Sequence, residues 1–61
     1  MSLKADFKEL EEAHNRALVA YTILTEKKVK SKAVELRKAL KEIMDVAKKM
    51  RKSAQEFKEA I

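Results

Sequence analysis

The chain has 61 residues, of which 41% are charged, a net charge of +5, and no cysteine, glycine or proline. A chain this short forms at most one small domain, and because the lack of cysteine excludes disulfides and thiolate metal sites, we expect self-association to stabilise it. No signal-peptide pattern is present and no apolar run approaches the ~20 residues of a membrane span, which predicts a cytoplasmic protein that does not enter membranes.

The first predicted element is an amphipathic helix over about residues 3–26. Apolar residues recur along it at alternating steps of four and three, the 3.5-residue period of a left-handed coiled coil. Three basic and five acidic side chains give it a net charge of −2. Met1, Ser2 and Leu3 are consistent with an added leader and receive no functional assignment. The predicted seam of this helix consists of Leu3, Phe7, Leu10, His14, Ala17, Tyr21 and Leu24.

A polar segment over about residues 27–31 predicts the turn between two helices. Thr25 and Ser31 compete for backbone hydrogen bonds, and Ser31 is a suitable N-cap for a helix that starts near Lys32. The segment lacks the glycine that often ends a helix. One continuous helix of about 55 residues, more than ~80 Å long, is therefore an alternative.

The second predicted element is a longer helix over about residues 32–60. Residues 27–61 hold twelve basic and five acidic side chains, a net charge of +7. The predicted seam consists of Ala33, Leu36, Leu40, Ile43, Ala47, Met50, Ala54, Phe57 and Ile61. A second line of small or compact residues runs beside it at seven-residue spacing: Ala39, Val46, Ser53 and Ala60. This broad stripe predicts an all-α antiparallel helical hairpin that dimerises into a four-helix bundle.

The sequence offers little for catalysis or metal binding. His14 is the only histidine, and since only Glu11 is near it at helical spacing, we interpret it as a packed seam residue rather than a metal ligand. Phe7, Tyr21 and Phe57 lie on the seams, which favours core packing over base stacking. Glycine-rich phosphate loops and cysteine nucleophiles are absent, so we predict a non-enzymatic protein without cofactor, metal or small-molecule substrate.

Basic residues concentrate on the second helix, where lysines lie opposite the predicted seam and Arg37 and Arg51 lie along one side of it. Between Lys27 and Lys52, eleven positive residues accompany only three negative ones. Such a surface either keeps a helical bundle soluble or contacts nucleic-acid phosphates, and charge alone favours neither. The candidate nucleic-acid-binding residues are Arg37, Lys38, Lys41, Lys48, Arg51 and Lys52, with Lys30 and Lys32 beside the turn.

The sequences KAVELRKALKEI over residues 32–43 and VAKKMRK over residues 46–52 resemble the second helix of the small bacterial linker-histone-like proteins of the chlamydial type. The shared pattern is a Lys-Ala start after a polar turn, followed by an apolar/Lys repeat flanked by two Arg-Lys pairs. These pairs are Arg37-Lys38 and Arg51-Lys52. The resemblance covers about residues 30–59, and it implies sequence-independent DNA binding in association with a bacterial chromosome or a phage genome.

We therefore predict a histone-like protein that binds DNA through phosphate contacts of its second helix and associates with the nucleoid. One alternative is a structural or protein-interaction module without nucleic-acid binding, whose seam recruits another helical protein. Another is peripheral binding to anionic lipid, although the basic helix lacks exposed aromatic anchors. Retention on DNA that falls steeply with salt favours the first function, and co-purification with one protein partner favours the second.

Overall fold

The computed structural model describes residues 3–61, and Met1 and Ser2, part of the segment considered as a leader, lie outside the described residues. It contains helices α1, Leu3–Lys27, and α2, Ser31–Ala60. The two helices pack side by side in a rod whose Cα atoms extend over 48 × 14 × 13 Å. The predicted all-α antiparallel hairpin is thus confirmed, and the alternative of one continuous helix is wrong.

Three polar pairs join α1 to α2 at successive levels of the rod. They are Arg16 with Glu42, Glu9 with Lys49, and Asp6 with Ser53. The residue number falls along α1 as it rises along α2, which fixes the antiparallel direction and the register of the two helices. The chain therefore reverses within the three residues between α1 and α2.

The turn is tight although it contains no glycine. Lys28 follows α1 with a φ of 55°, the left-handed conformation in which glycine usually ends a helix. The N–H groups of Lys32 and Ala33 each donate to a carbonyl three residues earlier, at 3.0 Å. Ser31 is the first residue of α2 rather than its N-cap, and Lys30 in the cap position makes no side-chain cap hydrogen bond. The expected serine cap is therefore wrong, because the chain enters α2 in helical geometry one residue earlier.

Small side chains form the contact between the two helices. The buried residues are Asp6, Ala13, Ala17 and Ala20 of α1 and Ala39, Val46 and Ser53 of α2. Alanine has no side-chain atom beyond Cβ, so the helix axes can approach more closely than they would across a leucine-rich seam. Among residues 3–61, no large side chain is fully buried in this contact.

The predicted seams do not form the helix–helix contact. Of the α1 seam only Ala17 is buried, whereas Phe7 and Tyr21 are 62% and 54% exposed, and Phe57 of α2 is 58% exposed. The assignments of these aromatic residues to the core and of His14 to a packed position are wrong for the hairpin. A 3.5-residue repeat fixes the period of an interface, but it does not decide which of two neighbouring stripes faces the other helix. Here the stripe of small residues does, because it permits the closer approach.

Replacing Ala13 by leucine tests the close approach of the helices. Ala13 is completely buried, and the added carbon atoms would force α1 away from α2. We expect Ala13→Leu to lower the free energy of unfolding by about 1–3 kcal/mol, measured by urea denaturation followed by circular dichroism. Ala60→Leu is the matched control, since Ala60 continues the seven-residue line of α2 but is exposed. Equal effects of the two substitutions would contradict the alanine contact.

Replacing Lys28 by glycine tests the turn. A non-glycine residue in the left-handed region carries a steric cost that glycine avoids, so we expect Lys28→Gly to raise the free energy of unfolding by about 0.5–1 kcal/mol. Lys27→Gly, at the last residue of α1, should lower it by a similar amount. Thermal denaturation of both variants checks the prediction, and destabilisation by Lys28→Gly would show that the turn has another conformation.

Candidate nucleic-acid interface

One long side of the hairpin is charged and internally paired. Arg16 donates hydrogen bonds to both carboxylate oxygens of Glu42. Lys49 Nζ lies 3.1 and 3.3 Å from the carboxylate oxygens of Glu9. These side chains lie three residues after buried positions of their helices, and they are about one-third to one-half exposed. Each pair therefore contributes at most about 1 kcal/mol, and its main effect is on register.

The two helices also form a buried polar contact near the end of the hairpin that lies away from the turn. Ser53 Oγ donates to Asp6 Oδ2 at 3.1 Å, and both residues are buried. Lys49 Nζ lies 3.9 Å from Asp6 Oδ1. The contact was not expected from the sequence, where the only signal was the place of Ser53 on the line of Ala39 and Val46. Among residues 3–61, no group of three or more His, Cys, Asp or Glu side chains is arranged to hold a metal ion.

The opposite long side of the hairpin is apolar and uncovered. In each helix the buried residues at seven-residue spacing form a line, which we call the buried line: Asp6, Ala13 and Ala20 of α1, and Ala39, Val46 and Ser53 of α2. Leu10 and Ile43 lie four positions after a residue of this line. They adjoin residues one position after it, such as Phe7 and Leu40. Phe7, Leu10, His14 and Ile43 line one groove between the helices. We call this surface the open apolar face; it comprises Phe7, Leu10, His14, Tyr21 and Leu24 of α1 and Leu36, Leu40, Ile43, Ala47, Met50, Ala54 and Phe57 of α2.

The third surface is the back of α2, which points away from α1. All of its basic residues are exposed, and among residues 3–61 none of them has an ion-pair partner or a side-chain hydrogen bond. Their side chains line two shallow grooves along the helix, and Lys38 and Lys41 also line a third groove together with Arg16 and Glu42. We call this surface the basic ridge; it comprises Arg37, Lys38, Lys41, Lys48, Arg51, Lys52 and Lys58.

The structure brings together six of the eight residues predicted for nucleic-acid binding, those from Arg37 to Lys52. Lys30 is exposed in the turn, apart from the ridge. Lys32 lies on the line that faces α1, and its Nζ is 2.7 Å from Glu35. Lys58 was missed in the sequence analysis, although it lies seven residues after Arg51 and therefore on the same edge of α2.

The ridge contains acidic residues, Asp45 near its middle and Glu59 seven residues after Lys52, and it borders the open apolar face. Asp45 is exposed between Lys41 and Lys48, where it lowers the positive charge at the middle of the ridge. Arg51 and Lys58 line a groove together with Ala54 of the apolar face. The two surfaces are therefore adjacent on α2, and a molecule that covers the apolar face leaves most of the ridge accessible.

Neither helix in the described part of the chain combines the length and the apolarity needed to cross a bilayer. Comparisons of this chain with protein-family models, curated proteins and solved structures gave no match.

Proposed function

We propose that this chain is a small, non-enzymatic DNA-binding protein that contacts duplex phosphates through the basic ridge of α2 without reading base sequence. The observation that carries the proposal is the division of the charges. On the charged side, Arg16, Lys32 and Lys49 are occupied by carboxylates. The basic residues of the ridge have no such partner among residues 3–61, so binding phosphate would not require an existing ion pair to be broken.

The dimensions of the ridge suit a duplex. Fourteen residue steps separate Arg37 from Arg51, which is about 21 Å at ~1.5 Å per residue. Duplex DNA carries one phosphate charge for about every 1.7 Å of its axis, so a straight ridge of this length can meet several phosphates at once. Lysine and arginine on an exposed helix surface neutralise phosphates by charge, a contact that is indifferent to base sequence.

The proposed DNA contact does not involve stacking of aromatic side chains on bases. Phe7, Tyr21 and Phe57 lie on the open apolar face rather than among the basic side chains. A protein that stacks unpaired bases places aromatic rings within its basic groove. The resemblance of residues 30–59 to bacterial linker-histone-like proteins supports the same function, with the nucleoid or a phage genome as its site of action.

We further propose that the hairpin dimerises through the open apolar face into a four-helix bundle. The chain exposes 5181 Å², whereas a compact monomer of 7.0 kDa exposes about 4,000 Å². The excess is comparable to the roughly 800 Å² that each partner buries in a stable protein–protein interface. Large apolar side chains such as Phe7, Leu40 and Phe57, each about half exposed or more, supply that surface.

The rival function is a protein-interaction module without nucleic-acid binding. The open apolar face supports it, because an uncovered apolar stripe on a helical hairpin can also receive a helix of another protein. The unpaired basic ridge is not explained by that function except as a surface that maintains solubility. Binding measurements on duplex DNA separate the two functions.

Charge reversal on the ridge tests DNA binding. We expect Arg51→Glu with Lys52→Glu to weaken binding at ~50 mM salt at least about tenfold for every duplex sequence alike, and to reduce the salt slope by about two. Fluorescence anisotropy of labelled duplexes over a salt series measures both effects, and circular dichroism verifies that the variant folds.

The matched control is Lys4→Glu with Lys8→Glu, which reverses two exposed charges on α1. We expect it to change affinity much less than the ridge variant does. Failure of the parent to bind any duplex at ~50 mM salt would overturn the DNA-binding proposal, and so would unchanged affinity of the folded ridge variant.

Truncation of the apolar face tests dimerisation. Leu40 and Ile43 are partly exposed in the hairpin, but both would be buried in a dimer. We expect Leu40→Ala with Ile43→Ala to convert the dimer to a monomer, with a loss of about 2–5 kcal/mol for each side chain buried. Light scattering measures the mass and denaturation measures the stability. Val19→Ala, at an exposed position outside this face, should leave the mass unchanged, and a stable helical monomer of the parent at micromolar concentration would refute the dimer.

A further inference from the structure

We propose that α2 of each copy packs across α1 of the other copy in the dimer, and that one dimer therefore holds two DNA duplexes on opposite edges of the bundle. This inference rests on the proposed function, and it specifies how many nucleic-acid partners the assembly binds. The number of duplexes depends on which helix of the second copy covers α2. The charges beside the open apolar face indicate which helix that is.

Two arrangements with two-fold symmetry bring one open apolar face against another. If the symmetry axis runs along the helices, α2 lies across α1 of the other copy. If the axis lies across the helices within the interface, α2 lies across α2 and α1 lies across α1. Neighbouring helices are antiparallel in both arrangements, so helix direction does not choose between them.

The charges at the border of the open apolar face distinguish between the two arrangements. The border residues lie five positions after the buried line of each helix. On α2 this spacing gives Met44, Arg51 and Lys58, together with Arg37 nearer the turn, and the charged members are all basic. On α1 it gives Glu11, Leu18 and Thr25, and Glu11, the charged member of the three, lines the apolar groove beside Phe7.

Packing α2 across α2 would bring two basic borders together, and like charges close to one another are unfavourable. Packing α2 across α1 places the basic border beside Glu11 of the other copy. The segment totals agree with this choice, since residues 3–26 carry a net charge of −2 and residues 27–61 carry +7. Charge complementarity therefore favours a second copy with its α1 over α2.

This arrangement determines where the ridges point. In each hairpin the centre of the basic ridge, such as Lys48 two residues after buried Val46, lies on the side of α2 opposite its contact with α1. With α2 across α1, the two α2 helices occupy diagonal corners of the bundle, and their ridges point in opposite directions. Two helices of about 10 Å diameter separate them. One straight duplex cannot contact both ridges, so each ridge binds its own duplex.

Cysteine crosslinking tests the arrangement, because these 61 residues contain no cysteine. Leu18 and Met44 are exposed border residues near the middle of α1 and α2. In the proposed arrangement, Leu18 of one copy is about one helical turn from Met44 of the other. A mixture of Leu18→Cys and Met44→Cys chains should then form a crosslinked heterodimer with a short bismaleimide, and neither variant alone should crosslink. Self-crosslinking of either variant, or no crosslinking in the mixture, would overturn the arrangement.

A capture assay tests the two-duplex function. Parent protein is added to an immobilised duplex, followed by a second, labelled duplex at ~50 mM salt. We expect the labelled duplex to be retained, and Arg51→Glu with Lys52→Glu to abolish its retention. Protein that binds the immobilised duplex without capturing the second would overturn this inference and leave the DNA-binding proposal intact. Absence of protein on the immobilised duplex would overturn the DNA-binding proposal itself.

Discussion

The close contact of α1 with α2 through alanine is the constraint on which the other features of the hairpin depend. Ala13, Ala17 and Ala20 of α1 and Ala39 and Val46 of α2 are buried in this contact, and close packing there leaves little room for larger side chains. The aromatic side chains and most of the leucines therefore lie outside the contact, on the open apolar face. The hairpin contact alone buries little apolar surface, and for this reason the uncovered side matters for the stability of the chain.

The same contact separates the molecule into three surfaces with different chemistry. Residues three positions after the buried line are mostly charged, and most of these charged residues pair across the helices. Residues four positions after it have apolar side chains. The remaining surface of α2 carries unpaired basic residues. The apolar face and the basic ridge meet along Arg37, Arg51 and Lys58, so a partner on the apolar face leaves the other basic residues of the ridge accessible to phosphate.

One ion pair between the helices runs against the overall charge of each segment. Arg16 is a basic residue within the acidic first helix, and its partner Glu42 is an acidic residue within the basic second helix. A general attraction between the segments would favour contact without fixing its register, whereas this pair and Glu9 with Lys49 match only one alignment. Each pair is too exposed to contribute much stability, so its effect is to exclude other registers.

Local signals in the sequence predict helices, a turn near residues 27–31 and the basic surface of α2, because helix propensity and the 3.5-residue period are local properties. They also indicate six residues of the basic ridge, but they leave one continuous helix open as an alternative. Packing between the helices excludes that alternative, turns the line of Ala39, Val46 and Ser53 toward α1, and leaves the predicted seam open beside it. Helices rotate about their axes until the closest packing and the polar pairs are both satisfied, and that choice depends on both helices at once.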